Sequence, residues 1–221
     1  MYICEKNKIM LKLDVFAASI GNLTDARYFA AREAKWLGFC LDQMNPQSVT
    51  AMEVNAIKEW LDGVEIVGEF GDVDKAYIEE QISNIDLKAI LAGPFTSAEA
   101  IEGLNVPVFK EIVLEKNTTD EALEEMLESY EGMVAHFILD LDKNKVVPEV
   151  SALSFDKLSD LCSRYSIMVS MPWELLPLES VMEKLDLSGI MMRGGEEEKV
   201  GFKSFDDLDE LLDILEIEEE Y

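Results

Sequence analysis

Between Lys12 and Ile217 the chain alternates eight times between a run of about five apolar residues and a segment of helical periodicity. This alternation constrains the fold more than any other feature. The first unit, Lys12 to Phe39, reads KLDVFAASIGNLTDARYFAAREAKWLGF. Lys12 to Ser19 has the content of a buried strand, and Ile20-Gly21-Asn22 breaks it. Asn22 or Thr24 can cap the helix that follows, with Asp25 in its first turn where the helix dipole favours an anion. Ala26, Phe29, Ala30 and Ala34 supply an apolar face, and Trp36 to Cys40 is the next strand. Two strands joined through a helix with such short connections must run parallel.

The same punctuation predicts strands at Val64–Phe70, Leu87–Leu91, within Val106–Leu114, and at Met133–Leu139, Ser166–Ser170 and Ser188–Met192. Helices are predicted at Val49–Leu61, Val73–Ile82, Ser97–Glu102, Glu121–Tyr130, Phe155–Arg164, Leu178–Leu185 and Phe205–Ile217. In the second helix the pattern puts Val49, Met52, Ala56, Ile57 and Trp60 inward. Eight pairs whose strands are continuously apolar favour an eight-stranded parallel (β/α)8 TIM barrel, in which both faces of every strand are covered. An open doubly wound sheet would carry a glycine-rich phosphate fingerprint in its first turn, and Ile20-Gly21-Asn22-Leu23 is not one. Residues 1–221 are therefore read as a single barrel domain. Its first and eighth strands are expected to be neighbours, with Val15 beside Ile190.

Asp and Glu outnumber Lys and Arg by 46 to 19, a net charge of −27. A field of that sign repels phosphate backbones, so nucleic acid is not an expected partner. Solvated helix faces are a simpler source of the charge than an acidic docking surface, and a high-salt habitat would give the same balance. No apolar run reaches the roughly 20 residues that span a bilayer, and the reading is a cytoplasmic protein without membrane attachment. Cys4, Cys40 and Cys162 have no metal-ligand spacing and are read as free thiols. No metal or other cofactor is expected. The sequence leaves the oligomeric state open.

Ala18-Ser19-Ile20-Gly21-Asn22-Leu23-Thr24-Asp25-Ala26 resembles the K-I-C-G-I-T-x-x-x-D-A opening of phosphoribosylanthranilate isomerases, barrel enzymes of tryptophan biosynthesis. Leu37-Gly38-Phe39 is similar to that family's second strand, and Asn45-Pro46-Gln47-Ser48-Val49 to its S-P-R-x-V segment. Val67-Gly68-Glu69-Phe70 resembles its V-G-V-F, Phe109-Lys110 its I-K and Ile138-Leu139-Asp140 its L-L-D. The resemblance implies an Amadori rearrangement of an aminoribose phosphate, carried by one general acid and one general base.

On that mapping Asp140 matches the general acid, but the base is lost: Ala18 stands where the family has its Cys. Gln47 replaces the Arg that lies against the anthranilate group. Met171-Pro172-Trp173 replaces the glycine pair after the seventh strand, and Pro172 has no N–H to offer a phosphate. Arg193, Gly194 and Gly195 after the eighth strand are the remaining candidates for holding an anion, with a plain turn as the alternative.

Asp142 shares strand parity with Asp140, so the two are expected to crowd each other and raise one pKa. Lys110 is weighed as a countercharge within the mouth, and His136 is expected in a lower layer of the barrel. Ser19 and Ser170 lie at strand ends with no histidine near enough to activate them. Two functions follow from these residues. One is a sugar-phosphate isomerase working with Asp140 and a replaced base. The other is a catalytically silent barrel kept for binding or assembly. A small sugar-phosphate-like anion is expected to bind weakly at best.

Overall fold

The computed structural model describes residues 10–194 and 205–217. Its eight strands are β1 Asp14–Ala18, β2 Trp36–Cys40, β3 Glu65–Phe70, β4 Ala89–Ala92, β5 Val108–Val113, β6 His136–Asp140, β7 Ile167–Ser170 and β8 Gly189–Arg193. They form a closed barrel in sequence order, every pair parallel. β8 closes on β1 with Val15 opposite Ile190, as expected from the count of pairs. The chain is a (β/α)8 TIM barrel. Among the described residues no helix is long and apolar enough to cross a membrane.

The helices are α1 Leu23–Ala31, α2 Ala51–Lys58, α3 Lys75–Ile85, α4 Ala98–Ile101, α5 Asp120–Glu128, α6 Phe155–Arg164, α7 Leu178–Met182 and α8 Asp206–Leu215. Side-chain oxygens of Asn22, Thr50, Ser97, Thr119 and Ser154 cap five of them, so these starts are written locally in the sequence. α2 is turned relative to its expected face. Val54 is its fully buried residue, whereas Met52 and Trp60 are 81% and 69% exposed. Apolar residues lie on more than one side of this helix, and packing selects the Val54–Ile57 line. Below the barrel, Lys12 N–H donates to Leu215 O (2.8 Å) and Ile217 N–H to Met10 O (2.8 Å), tying the chain before β1 to the end of α8.

Inside the barrel the strands' period-two alternation produces two kinds of layer. Phe16, Trp36, Val67, Phe109, Ile138, Met168 and Met191 form an apolar floor. Its aromatic rings meet edge to face, Phe16 to Phe109 at 5.9 Å and Trp36 to Phe109 at 5.1 Å. Two residues further along these same strands stand Ala18, Glu69, Glu111, Asp140, Ser170 and Arg193. Every one of them projects inward at the C-terminal strand ends, above the floor. This polar layer is the top of the barrel.

Candidate functional site

The polar layer is organised by Arg193, at the last position of β8. Its Nη2 donates to Asp140 Oδ2 at 2.7 Å and to Glu111 Oε1 at 2.9 Å, linking β8 to β6 and β5. Lys143, in the loop after β6, adds a second cation: Nζ lies 2.7 Å from Glu111 Oε1 and 3.5 Å from Asp140 Oδ2. Its backbone N–H donates to Asp140 Oδ1 at 3.0 Å. Asp140 is therefore fully buried yet bonded at both oxygens. Burial alone would raise its pKa, but the Arg193 charge and the two hydrogen bonds outweigh it and hold the carboxyl below its ordinary range. Asp140 is an ionised acceptor.

Glu69 completes the layer from β3. Burial pushes its carboxyl upward; hydrogen bonds from Ser19 pull the other way, while the nearby Glu111 charge reinforces the rise, and the result is raised. Ser19 N–H donates to Glu69 Oε1 at 2.5 Å and its hydroxyl to Oε2 at 3.0 Å. To make both bonds Ser19 adopts a left-handed backbone, φ 58°, which is costly for a residue with a Cβ. Gly38 on β2 leaves the space that the carboxylate occupies: a Cβ there would sit 2.1 Å from Glu69 Oε1. Glu69 and Asp140 thus occupy one layer with opposite protonation tendencies, set by which of them holds the arginine.

The remaining residues singled out from the sequence fall in different places. Ala18 is buried on the inner face of β1, in register with Arg193. Gln47 is exposed in the loop between β2 and α2, where its N–H donates to Asn45 Oδ1 at 2.9 Å; among the described residues no hydrogen bond ties it to the polar layer. Gly194 follows β8 directly, and Gly195 lies outside the described residues together with Glu196, Glu197 and Glu198. The guanidinium expected to face an anion is turned into the barrel.

Two sequence expectations are corrected. Asp142 does not crowd Asp140. β6 ends at Asp140, so strand parity lapses, and Asp142 pairs with Lys145 at 2.7 Å. Lys110 does not enter the mouth. It stands on the outer face of β5, where Nζ donates to Gly93 O (2.6 Å) and Thr96 O (3.2 Å) and lies 4.8 Å from the centre of the Tyr130 ring. Burial lowers its pKa to about 8, against the pull of Glu111. His136 sits in the floor against Phe109 and Trp36, as expected, and bonds Ser166 Oγ through Nδ1 at 2.8 Å. It starts β6, whereas Ser170 ends β7 and Ser19 follows the end of β1, so the strand length separates it from both hydroxyls.

Sequence reasoning did not single out Glu69, Glu111 or Lys143 as parts of one network. The available signal was a glutamate at an inward position of an otherwise apolar run, Val67-Gly68-Glu69-Phe70, beside a strand glycine at Gly38. Among the described residues no group of three or more metal-ligating side chains comes together.

A cavity of about 600 Å³ opens beside the polar layer, between the ends of β7 and β8 and helices α7 and α8. Ser170, Met191 and Arg193 form its inner end. A second, of about 750 Å³, lies between the loops after β2, β3 and β4 and is rimmed by Asp42, Asp72, Asp74 and Glu99 with Lys75.

With this geometry in hand, comparison with solved structures is direct. A phosphoribosylanthranilate isomerase in complex with reduced 1-(o-carboxyphenylamino)-1-deoxyribulose 5-phosphate superposes with a TM-score of 0.71 at 18% identity, covering 90% of this chain and 96% of that one. The Thermus thermophilus isomerase superposes at 0.68 and 24% identity, covering 91% and 97%. The chain has the fold of these isomerases. The Pyrococcus furiosus enzyme agrees, at 0.68 and 15% identity over 91% and 97%. No protein-family profile matches the sequence, and neither does any curated protein. At such identities the likeness concerns the fold, and function has to be argued from the residues.

Proposed function

We propose that this barrel binds a small molecule at its mouth and does not carry out the aminoribose isomerisation of the enzymes whose fold it has. One observation carries the reading: Asp140, which the sequence resemblance matches to the family's general acid, is buried and held ionised by Arg193 and the Lys143 N–H. A carboxylate in that state has no proton to give. The opposite half of the reaction lacks its group as well, because Ala18 cannot accept a proton and Gln47 supplies no charge to an anthranilate carboxylate. Loss of a general base alone typically costs a factor of about 100 to 10,000. What favours the isomerase reading in tryptophan biosynthesis is the shared fold and the retained aspartate. Complementation of a strain lacking that isomerase separates the two. The expected result is no growth without tryptophan, and growth at the normal rate would overturn the reading.

Glu69 supports a second reading. Its raised pKa, inward position and hydrogen bonds from Ser19 are the properties of a carboxyl placed to hold and release a proton. On this reading the acid–base work has moved from the first strand to the third, on a substrate other than the family's. Any turnover that Glu69→Gln abolishes, while Asp140→Asn leaves it in place, would favour this reading.

A further inference from the structure

We propose that the cavity between the ends of β7 and β8 and helices α7 and α8 binds an organic ammonium, a primary amine on a short hydrocarbon body. The inference deepens the binding function proposed above and rests on it. Its starting point is Ser170. This residue is 4% exposed, projects inward from the last position of β7 and lines the cavity. Its backbone carbonyl accepts from the N–H groups of Leu141 and Asp142, but its hydroxyl makes no hydrogen bond with any described residue. Unbonded within the described residues, the hydroxyl at this cavity wall is available to a ligand or to water. Here it faces a space of about 600 Å³, within the range of small-molecule sites.

The rest of the lining selects the ligand's charge. Two cations border the cavity, and both are engaged. Lys145 is held between Asp142 and Glu174, at 2.7 Å from each. Arg193 is held between Asp140 and Glu111. Glu179, Asp207 and Glu210 also line the space and form no ion pair among the described residues. Among the described residues, a phosphate or carboxylate placed here would meet net negative charge and no unpaired cation. An ammonium would meet acceptors, the Ser170 oxygen among them.

The walls select the body. Met171 and Leu178 are buried, while Trp173, Leu208, Leu211 and Ile214 each bury part of an apolar surface against the cavity. A polyol would leave most of its hydroxyls against carbon, at a cost for each unpaired group. An alkyl chain loses nothing there, and the Trp173 indole adds attraction for a cation over its face.

The test uses hexylammonium, hexanoate, hexanol and hexyl phosphate as probes of the full chain. Binding is followed through the Trp173 indole N–H and the Ser170 amide in ¹H–¹⁵N spectra at neutral pH. Hexylammonium is expected to shift both signals with a dissociation constant near or below about 1 mM. Hexanol, hexanoate and hexyl phosphate should bind at least about tenfold more weakly, the two anions weakest. Ser170→Val should weaken the amine about tenfold by removing the acceptor. Glu179→Gln with Glu210→Gln, two exposed positions, should weaken it and flatten its salt dependence. Equal binding of hexanoate or hexyl phosphate, shifts scattered away from this cavity, or an amine affinity unmoved by both variants would overturn the inference. Turnover of phosphoribosylanthranilate would instead sink the functional reading itself, whatever the amine does. Silence of the amine in a chain without that turnover would sink the ligand assignment alone.

Discussion

Replacing Arg193 with Met is the sharpest perturbation of the polar layer, because a side chain of similar length is kept while the charge that holds Asp140 and Glu111 is removed. Breaking a buried ion pair by deleting one partner costs about 3–5 kcal/mol. Asp140 is fully buried, so its charge would be left without its nearest partner. Lys143 remains at 3.5 Å, but its side chain is 42% exposed and solvent screens it. The expected loss is therefore the lower end, about 3 kcal/mol, or a fall in Tm of about 6–12 °C for a chain of this size.

The pH dependence gives the decisive sign. In the native chain Asp140 has a depressed folded pKa, so its contribution is complete above the ordinary value and is lost as pH falls through the folded one. Without Arg193, burial becomes the dominant influence and the folded pKa rises above the ordinary value. The favourable state is then the protonated one, and stability drops as pH rises through the new folded pKa. The deficit of Arg193→Met against the native chain should thus widen between pH 4 and pH 8. Urea unfolding followed by tryptophan fluorescence at several pH values measures it. Adding Asp140→Asn to Arg193→Met should recover at least half of the loss at pH 8 and little at pH 4. A deficit under 1 kcal/mol, or one independent of pH and untouched by the second substitution, would refute the assignment of Arg193 as the group that keeps Asp140 charged.

Gly38→Ala should destabilise the barrel by about 1–3 kcal/mol, since its Cβ would meet Glu69 Oε1 and, at 2.8 Å, the Phe16 ring. Glu69→Ala in the same chain should relieve part of that loss, which paired unfolding curves measure. Lys110→Met should cost about 1–3 kcal/mol by leaving the carbonyls of Gly93 and Thr96 without their donor. Lys110 has a folded pKa of about 8, below its unfolded value, so the unfolded chain binds more protons between the two and native stability gains with rising pH there. That increment should be absent from Lys110→Met in unfolding curves between pH 8 and pH 10. Ala18→Cys alone should fail to restore isomerase turnover in a purified-protein assay, because Asp140 stays ionised beside Arg193.

The barrel was legible because each buried strand is a short continuous apolar run bounded by turn residues. Ends were less legible where apolar residues continue into a turn. The sixth strand was expected from Met133, yet Gly132 adopts φ 75° and Met133 N–H returns to Tyr130 O, so the strand starts at His136. The face of α2 was misread for a related reason: Met52 and Trp60 are apolar but exposed, and periodicity alone cannot rank two competing stripes. Within the site, Asp140 and Arg193 were each visible at a strand end. Their pairing was not, because it spans 53 positions of sequence and depends on both strands turning those residues inward. Parity places Lys110 opposite Glu111, and the structure sends the lysine outward to loop carbonyls and the glutamate inward to Arg193.

The most direct measurement is the titration of the two carboxyl groups themselves, read from the side-chain ¹³C shifts of Asp140 and Glu69 between pH 3 and pH 9. With Arg193 in place, Asp140 should show no titration above its ordinary value of 3.8, and Glu69 should titrate above its ordinary 4.5. An Asp140 carboxyl that gains its proton between pH 5 and pH 8 would contradict the account, since it would restore at the end of β6 the acid that the proposed function says this barrel has given up.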